Sequence, residues 1–129
     1  MENEIRKKIM LSGIQPSGDL HLGNYLGAVK NWGARADEFD CYYFMADLHT
    51  LTVRQNPAEL RRRTLEQLAQ YLACGLDPES VTLFIHNQIP QLCELSFYFM
   101  DLASVSRLQR NPTVKTETQI LGFQTSTPA

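Results

Sequence analysis

Three short apolar runs, each separated from the next by a stretch of helical periodicity, constrain this chain most. The runs are "IMLSGI" at residues 9–14, "DCYYFMA" at 40–46 and "VTLFIH" at 81–86. They are rich in β-branched and aromatic residues and too short for buried helices, so they read as strands. Between the first two, residues 21–36 place Leu22, Tyr25, Leu26, Val29 and Trp32 at helical spacing, with Tyr25 and Trp32 expected in the core. Between the second and third, "NPAELRRRTLEQLAQYLACGLDP" at 56–78 is the clearest helix. Asn56 is its N-cap, Pro57 suits the first helical position and Glu59 completes a capping box. Leu60, Leu65, Leu68, Ala69 and Leu72 form its expected apolar face. Gly75 supplies a left-handed stop and Pro78 prevents continuation. The stretch 47–55 is ambiguous, 91–103 reads as a further helix, and beyond Ser104 the chain is polar and mixed to Ala129. Strand and helix alternate, and the strands are nearly continuous in apolar residues. That pattern specifies an α/β fold, a parallel sheet covered by helices, and such sheets bind ligands at the carboxyl ends of their strands.

Composition narrows the class of molecule. At 129 residues the chain is expected to form one domain. A net charge of −2 argues against a globally basic nucleic-acid binder. The apolar runs are too short and too broken by charge to span a membrane or to serve as a signal-peptide core. Cys41, Cys74 and Cys93 form no Cys-x-x-Cys pair, so they read as buried, inert thiols in a reducing cytoplasm and not as a metal or disulfide framework.

The loop after the first strand carries the chemistry. "SGIQPSGDLHLGN", residues 12–24, packs three glycines, a proline, a histidine and an asparagine between strand and helix. Gly13 and Gly18 allow close approach of the backbone to a ligand. The helix starting near His21 points its unpaired amides and positive dipole end at the loop, which favours a phosphate. Gly23 leaves room for a flat ring against the helix, and His21 and Asn24 offer neutral hydrogen-bond donors. The spacing matches neither the dinucleotide fingerprint nor a P-loop. On residues alone, a tight strand-to-helix turn with packing glycines remains the alternative.

"HLGN" resembles the His-Ile-Gly-His signature of class I aminoacyl-tRNA synthetases, with asparagine as the last residue. The wider "SGIQPSGDLHLGNYLGA" resembles the version in the tryptophanyl-tRNA synthetase family, and the similarity continues through "CYYFMADLHTLTVRQNPAELR", "YLACGLDP" and "TLFIHNQIP". It runs from about Leu11 to about Lys115. The resemblance implies a Rossmann-like, doubly wound parallel sheet forming part of a catalytic domain across 1–129. It implies activation of tryptophan by ATP with Mg2+, transfer to tRNA(Trp), no metal site of the protein's own, and a cytoplasmic homodimer. By the same resemblance Gln15, Pro16, Ser17, His21, Gly23 and Asn24 face ATP. Gly13, Gln15 and His49 border tryptophan. His21, Asn24 and Lys115 act on the phosphates.

Plainer readings stand beside these. His49 fits a hydrogen-bonded strand-end turn, Lys115 an ordinary solvated lysine, and Arg61, Arg62 and Arg63 a solvated helix face. The string "LCELSFYFMDLA" suits a dimer interface or a buried core. The chain lacks the family's Lys-Met-Ser-Lys-Ser-type loop, its indole-reading aspartate and its anticodon-binding region. It is therefore expected to be inactive alone in aminoacylation. A nucleotide-binding regulatory module and a tyrosyl-activating relative are the competing readings.

Overall fold

The computed structural model describes residues 7–53 and 56–122. Residues 1–6, the end of the ambiguous 47–55 stretch and the tail from Phe123 lie outside them. Two compact units form, Met1–Ile89 and Pro90–Ala129.

In the first unit, strands β1 (Lys8–Ile14), β2 (Phe39–Met45) and β3 (Thr82–Ile85) make a parallel sheet in the order β1-β2-β3. The register pairs Ile14 with Met45 and Met45 with Ile85, so the carboxyl ends of all three strands lie level. A helical run crosses from β1 to β2 in three pieces: α1 (Leu22–Asn24), a π-helical turn (Tyr25–Val29) and α2 (Lys30–Gly33). The π-turn shifts the register between its two ends. Val29 and Trp32 reach the core, whereas Leu22, Tyr25 and Leu26 are exposed. Trp32 is thus where the spacing placed it and Tyr25 is not.

Helix α3 (Pro57–Ala73) crosses from β2 to β3. Its ends follow the local signals. The Asn56 side chain accepts from the amides of Ala58 and Glu59, and Gly75 takes a positive φ of 95° beyond the last turn. The capping box does not close, because the Glu59 carboxylate is taken by Arg62 and Arg63. The inward face also differs from the expected one. Thr64, Gln67 and Tyr71 are buried, while Leu65, Ala69 and Leu72 are exposed.

The core is built on aromatic rings. Trp32 stacks on Tyr43 with centroids 4.4 Å apart and meets the Tyr71 ring edge-on at 5.2 Å. The Tyr43 hydroxyl donates to the Trp32 carbonyl at 3.0 Å. Burial pushes the phenols of both tyrosines well above their ordinary range, so both remain neutral donors. Cys41, Met45, Leu76 and Val81 complete this layer. Of the three thiols only Cys41 is buried; Cys74 and Cys93 are exposed, against expectation.

Both helices of this unit lie on the Trp32 face of the sheet. Right-handed crossovers taken in one direction across a sheet place their helices on one side. The opposite face carries Leu11, Gly13, Tyr42, Phe44 and Phe84, as the strand register requires.

The second unit contains α4 (Pro90–Leu102), α5 (Val105–Leu108) and α6 (Pro112–Ile120). None of their described residues is buried in this chain. No helix among the described residues is long and apolar enough to cross a membrane.

Candidate functional site

The site assembles where the three strands end. The Ala46 amide donates to the Ile14 carbonyl at 2.9 Å, extending the β1–β2 ladder into the loops. Next comes Asp47, only 4% exposed, at the start of a 3-10 turn over Asp47–Thr52. Its Oδ1 accepts from the Leu48 amide at 3.0 Å and from the Asn87 amide at 3.1 Å, and its Oδ2 accepts from the Asn87 side-chain amide. One buried carboxylate therefore ties the end of β2 to the end of β3. Its charge is stabilised by N–H donors, which a buried carboxylate requires.

The glycine-rich loop is held from behind. Pro16 is buried, and the Ser17 amide donates to the Gln15 carbonyl at 2.8 Å, closing a three-residue turn around the proline. Helix α3 supplies the other anchors. Gln67 Nε2 donates to the Gln15 carbonyl at 3.4 Å, and Arg63 donates to the Ser17 carbonyl at 3.5 Å. Gln70 grips the loop at two points, accepting from the Leu20 amide and donating to Asp19, each at 3.0 Å. Arg63 thus does more than solvate its helix face, and Arg62 pairs with Glu59 and Glu66. Arg61 lines a cavity of about 380 Å³ with Leu60, Thr64, Ile85 and Asn87.

Where the helix begins, His21 and Asn24 cap each other. The Asn24 amide donates to His21 Nδ1 and the His21 amide donates to Asn24 Oδ1, both at 3.2 Å. An accepting Nδ1 on a neutral ring assigns the proton to Nε2. His21 Nε2 and Asn24 Nδ2 remain as donors toward solvent, while Asn24's amide is already used. The flat ring lying against Gly23 is His21's own: a Cβ on Gly23 would come within 3.0 Å of its Cε1 and Nδ1. This gives the glycine a local reason that the sequence alone did not supply.

Gly13 likewise makes room for a side chain of this chain. A Cβ there would meet the Phe44 ring at 2.7 Å. Phe44 stacks on Phe84 at 5.4 Å and touches His86 at 4.9 Å, and His86 stacks on His49 at 5.3 Å and 24°. His49 is exposed. The expected set Gly13, Gln15, Pro16, Ser17, His21, Gly23, Asn24 and His49 thus sits on the carboxyl-end segments of β1 and β2. Lys115 lies elsewhere in the chain, exposed on α6 of the second unit.

Asp47, Asn87, His86, Gln67 and Gln70 were not singled out from the sequence. An acid and a histidine directly after apolar strands were available signals for Asp47 and His86. The His86 imidazole is held below its ordinary 6.5 by burial first and then by His49, with Asp47 opposing. The unfolded chain therefore binds this proton more tightly than the folded one. The stability associated with His86 is fully present above about pH 6.5 and is lost as pH falls through the lower folded value. Denaturation midpoints should decline as pH falls below about 7, and decline less in His86→Phe.

Residues 3–126 match the family described as "tRNA synthetases class I (W and Y)". Over 119 residues the chain is 50% identical to the tryptophan–tRNA ligase of Clostridium perfringens, covering 92% of this chain and 36% of that one. Tryptophanyl-tRNA synthetase from Mycoplasma pneumoniae superposes with a TM-score of 0.79 at 32% identity, over 88% of this chain and 34% of the other. The Campylobacter jejuni enzyme, solved with ADP and tryptophan, gives 0.76 at 27% identity, over 93% and 37%. The chain spans about a third of the length of these relatives. This chain belongs to the class I tRNA synthetases of the tryptophan and tyrosine family.

Proposed function

We propose that this chain carries the ATP-loop part of the catalytic domain of a tryptophan–tRNA ligase. The supporting observation is the level carboxyl edge of the sheet, from which the 15–24 loop and the 47–52 turn both leave, in a chain 50% identical to a tryptophan–tRNA ligase. In the proposed reaction a carboxylate oxygen of tryptophan attacks the α-phosphorus of ATP. Pyrophosphate leaves, and the tryptophanyl group of the adenylate then passes to tRNA(Trp). The substrate carboxylate is itself the nucleophile, so the protein's part is positioning and charge stabilisation. Gln15, Pro16, Ser17, His21, Gly23 and Asn24 hold ATP, whose Mg2+ travels with the phosphates. The Nε2–H of His21 and the side-chain amide of Asn24 donate to phosphate oxygens. Gly13, Gln15 and His49 border tryptophan, and Lys115 acts on the phosphates. The exposed apolar residues of α4, Phe97, Tyr98, Phe99 and Met100 among them, fit the interface of a cytoplasmic homodimer.

Calorimetric titration with Mg–ATP tests the loop. Asn24→Ala should weaken binding by about tenfold, one charge-assisted hydrogen bond's worth, while costing about 1 kcal/mol of stability through the lost cap. Equal affinity in parent and variant would remove Asn24 from the site.

A further inference from the structure

We propose that His86 is a positioning residue for His49 in the tryptophan subsite, holding its imidazole face-on at the end of a file of rings that begins with Phe84 and Phe44. The proposal rests on the reading of His49 given under Proposed function. It stands on four features of the sheet's carboxyl edge.

The file is set by strand register. Gly13, Phe44 and Phe84 are opposite one another on neighbouring strands and share the face away from Trp32. Gly13 contributes no side chain, and the Phe44 ring takes that space.

His86 is fixed by its neighbours. It contacts Phe44 on one strand, and the next residue, Asn87, is clamped to buried Asp47 through backbone and side chain. Its Nδ1 is buried and has no partner among the described residues, so the ring is placed by packing and not by a hydrogen bond.

His49 has no such support of its own. It sits on the exposed side of the short 47–52 turn, held there by its backbone amide on the Ala46 carbonyl at 3.2 Å. Its imidazole makes no hydrogen bond among the described residues, and the ring it stacks on is His86.

The charge state suits the stack. Burial and the neighbouring His49 favour neutral His86, and Asp47 is the carboxylate whose charge opposes them. A neutral ring can lie flat against His49 without repulsion. An aromatic amino acid arriving at His49 therefore meets a ring already oriented, and little rotamer freedom remains to be lost on binding.

Titration of L-tryptophan into the 129-residue chain tests this, with His86→Phe, His86→Gln and His49→Ala as variants. His86→Phe keeps a flat ring and should bind within about twofold of the parent. His86→Gln removes the ring and should bind about three- to tenfold more weakly, the range of one aromatic pair. In proton NMR, the ring-current shift on the His49 imidazole should persist in His86→Phe and vanish in His86→Gln. The chain has three histidines, so the signals are assignable by substitution. A role confined to stability would lower the melting temperature without this pattern of loss and rescue. If His49→Ala weakens binding but His86→Gln matches the parent, or His86→Phe is as weak as His86→Gln, the positioning role is wrong and the site reading stands. If the parent fails to bind tryptophan, or His49→Ala binds as well as the parent, the site reading fails and the proposal falls with it.

Discussion

Trp32→Ala should cost about 3–5 kcal/mol, enough to leave much of the chain unfolded near room temperature. The ring is 2% exposed and lies flat on Tyr43 and edge-on to Tyr71, both of which are completely buried. Truncation removes two aromatic contacts at once. The cavity it opens lies between a crossover helix and the central strand, where the rings of Tyr43 and Tyr71 cannot close it without leaving their own positions. Urea denaturation followed by circular dichroism measures the loss. Trp32→Phe should retain about half of the parent's margin, because it keeps a stacked ring of smaller area. A Trp32→Ala variant with an unchanged denaturation midpoint would mean that this ring cluster is not the centre of the core.

Asp47→Ala should cost about 3 kcal/mol and weaken tryptophan binding as well. The carboxylate accepts three hydrogen bonds, two of them from Asn87. Alanine takes both acceptors away from Asn87 and unties β2 from β3. The effect on ligand is separate from the effect on folding, because Asp47 starts the turn that carries His49 and Asn87 follows His86. Asp47→Asn keeps the shape but presents an N–H₂ group to donors that need acceptors, so it should recover only part of the stability. Denaturation curves and tryptophan titrations on both variants separate the two contributions. Asp47→Ala with parental stability would show that the ends of β2 and β3 are held by other means.

Local chemistry was legible in the sequence, and long-range polar contacts were not. Asn56, Pro57 and Gly75 marked the limits of α3 because capping depends on residues a few positions apart. The face of that helix was misjudged for a physical reason. Thr64, Gln67 and Gln70 look solvent-facing by type, yet Gln67 and Gln70 turn inward to serve the backbone of a loop some fifty positions earlier. Leu65 and Leu72 are left outside in exchange. The π-turn at Tyr25–Val29 likewise has no signature in a 3.6-residue periodicity, so an unbroken helix with Leu22 and Leu26 inward was the natural expectation. Helix α6 did have a signal. Asn111 and Pro112 repeat the Asn56–Pro57 start, and the Asn111 side chain accepts from two amides in the same way. The composition and wording of the glycine-rich loop point to a ligand. What the sequence could not convey is that Gly13 and Gly23 each accommodate a ring of the chain itself, Phe44 and His21.

The grip of α3 on the loop also sets an order of events in biosynthesis. Residues 15–20 leave the ribosome well before Arg63, Gln67 and Gln70, the side chains that hold Ser17, Gln15, Leu20 and Asp19 in place. Until α3 has been made and has docked on the sheet, the loop bears the right residues without these anchors. Closing a connection of some fifty residues is a slow, entropically opposed step compared with winding a helix. The shape of the loop is thus encoded in its own residues but acquired only when a downstream helix folds back over it.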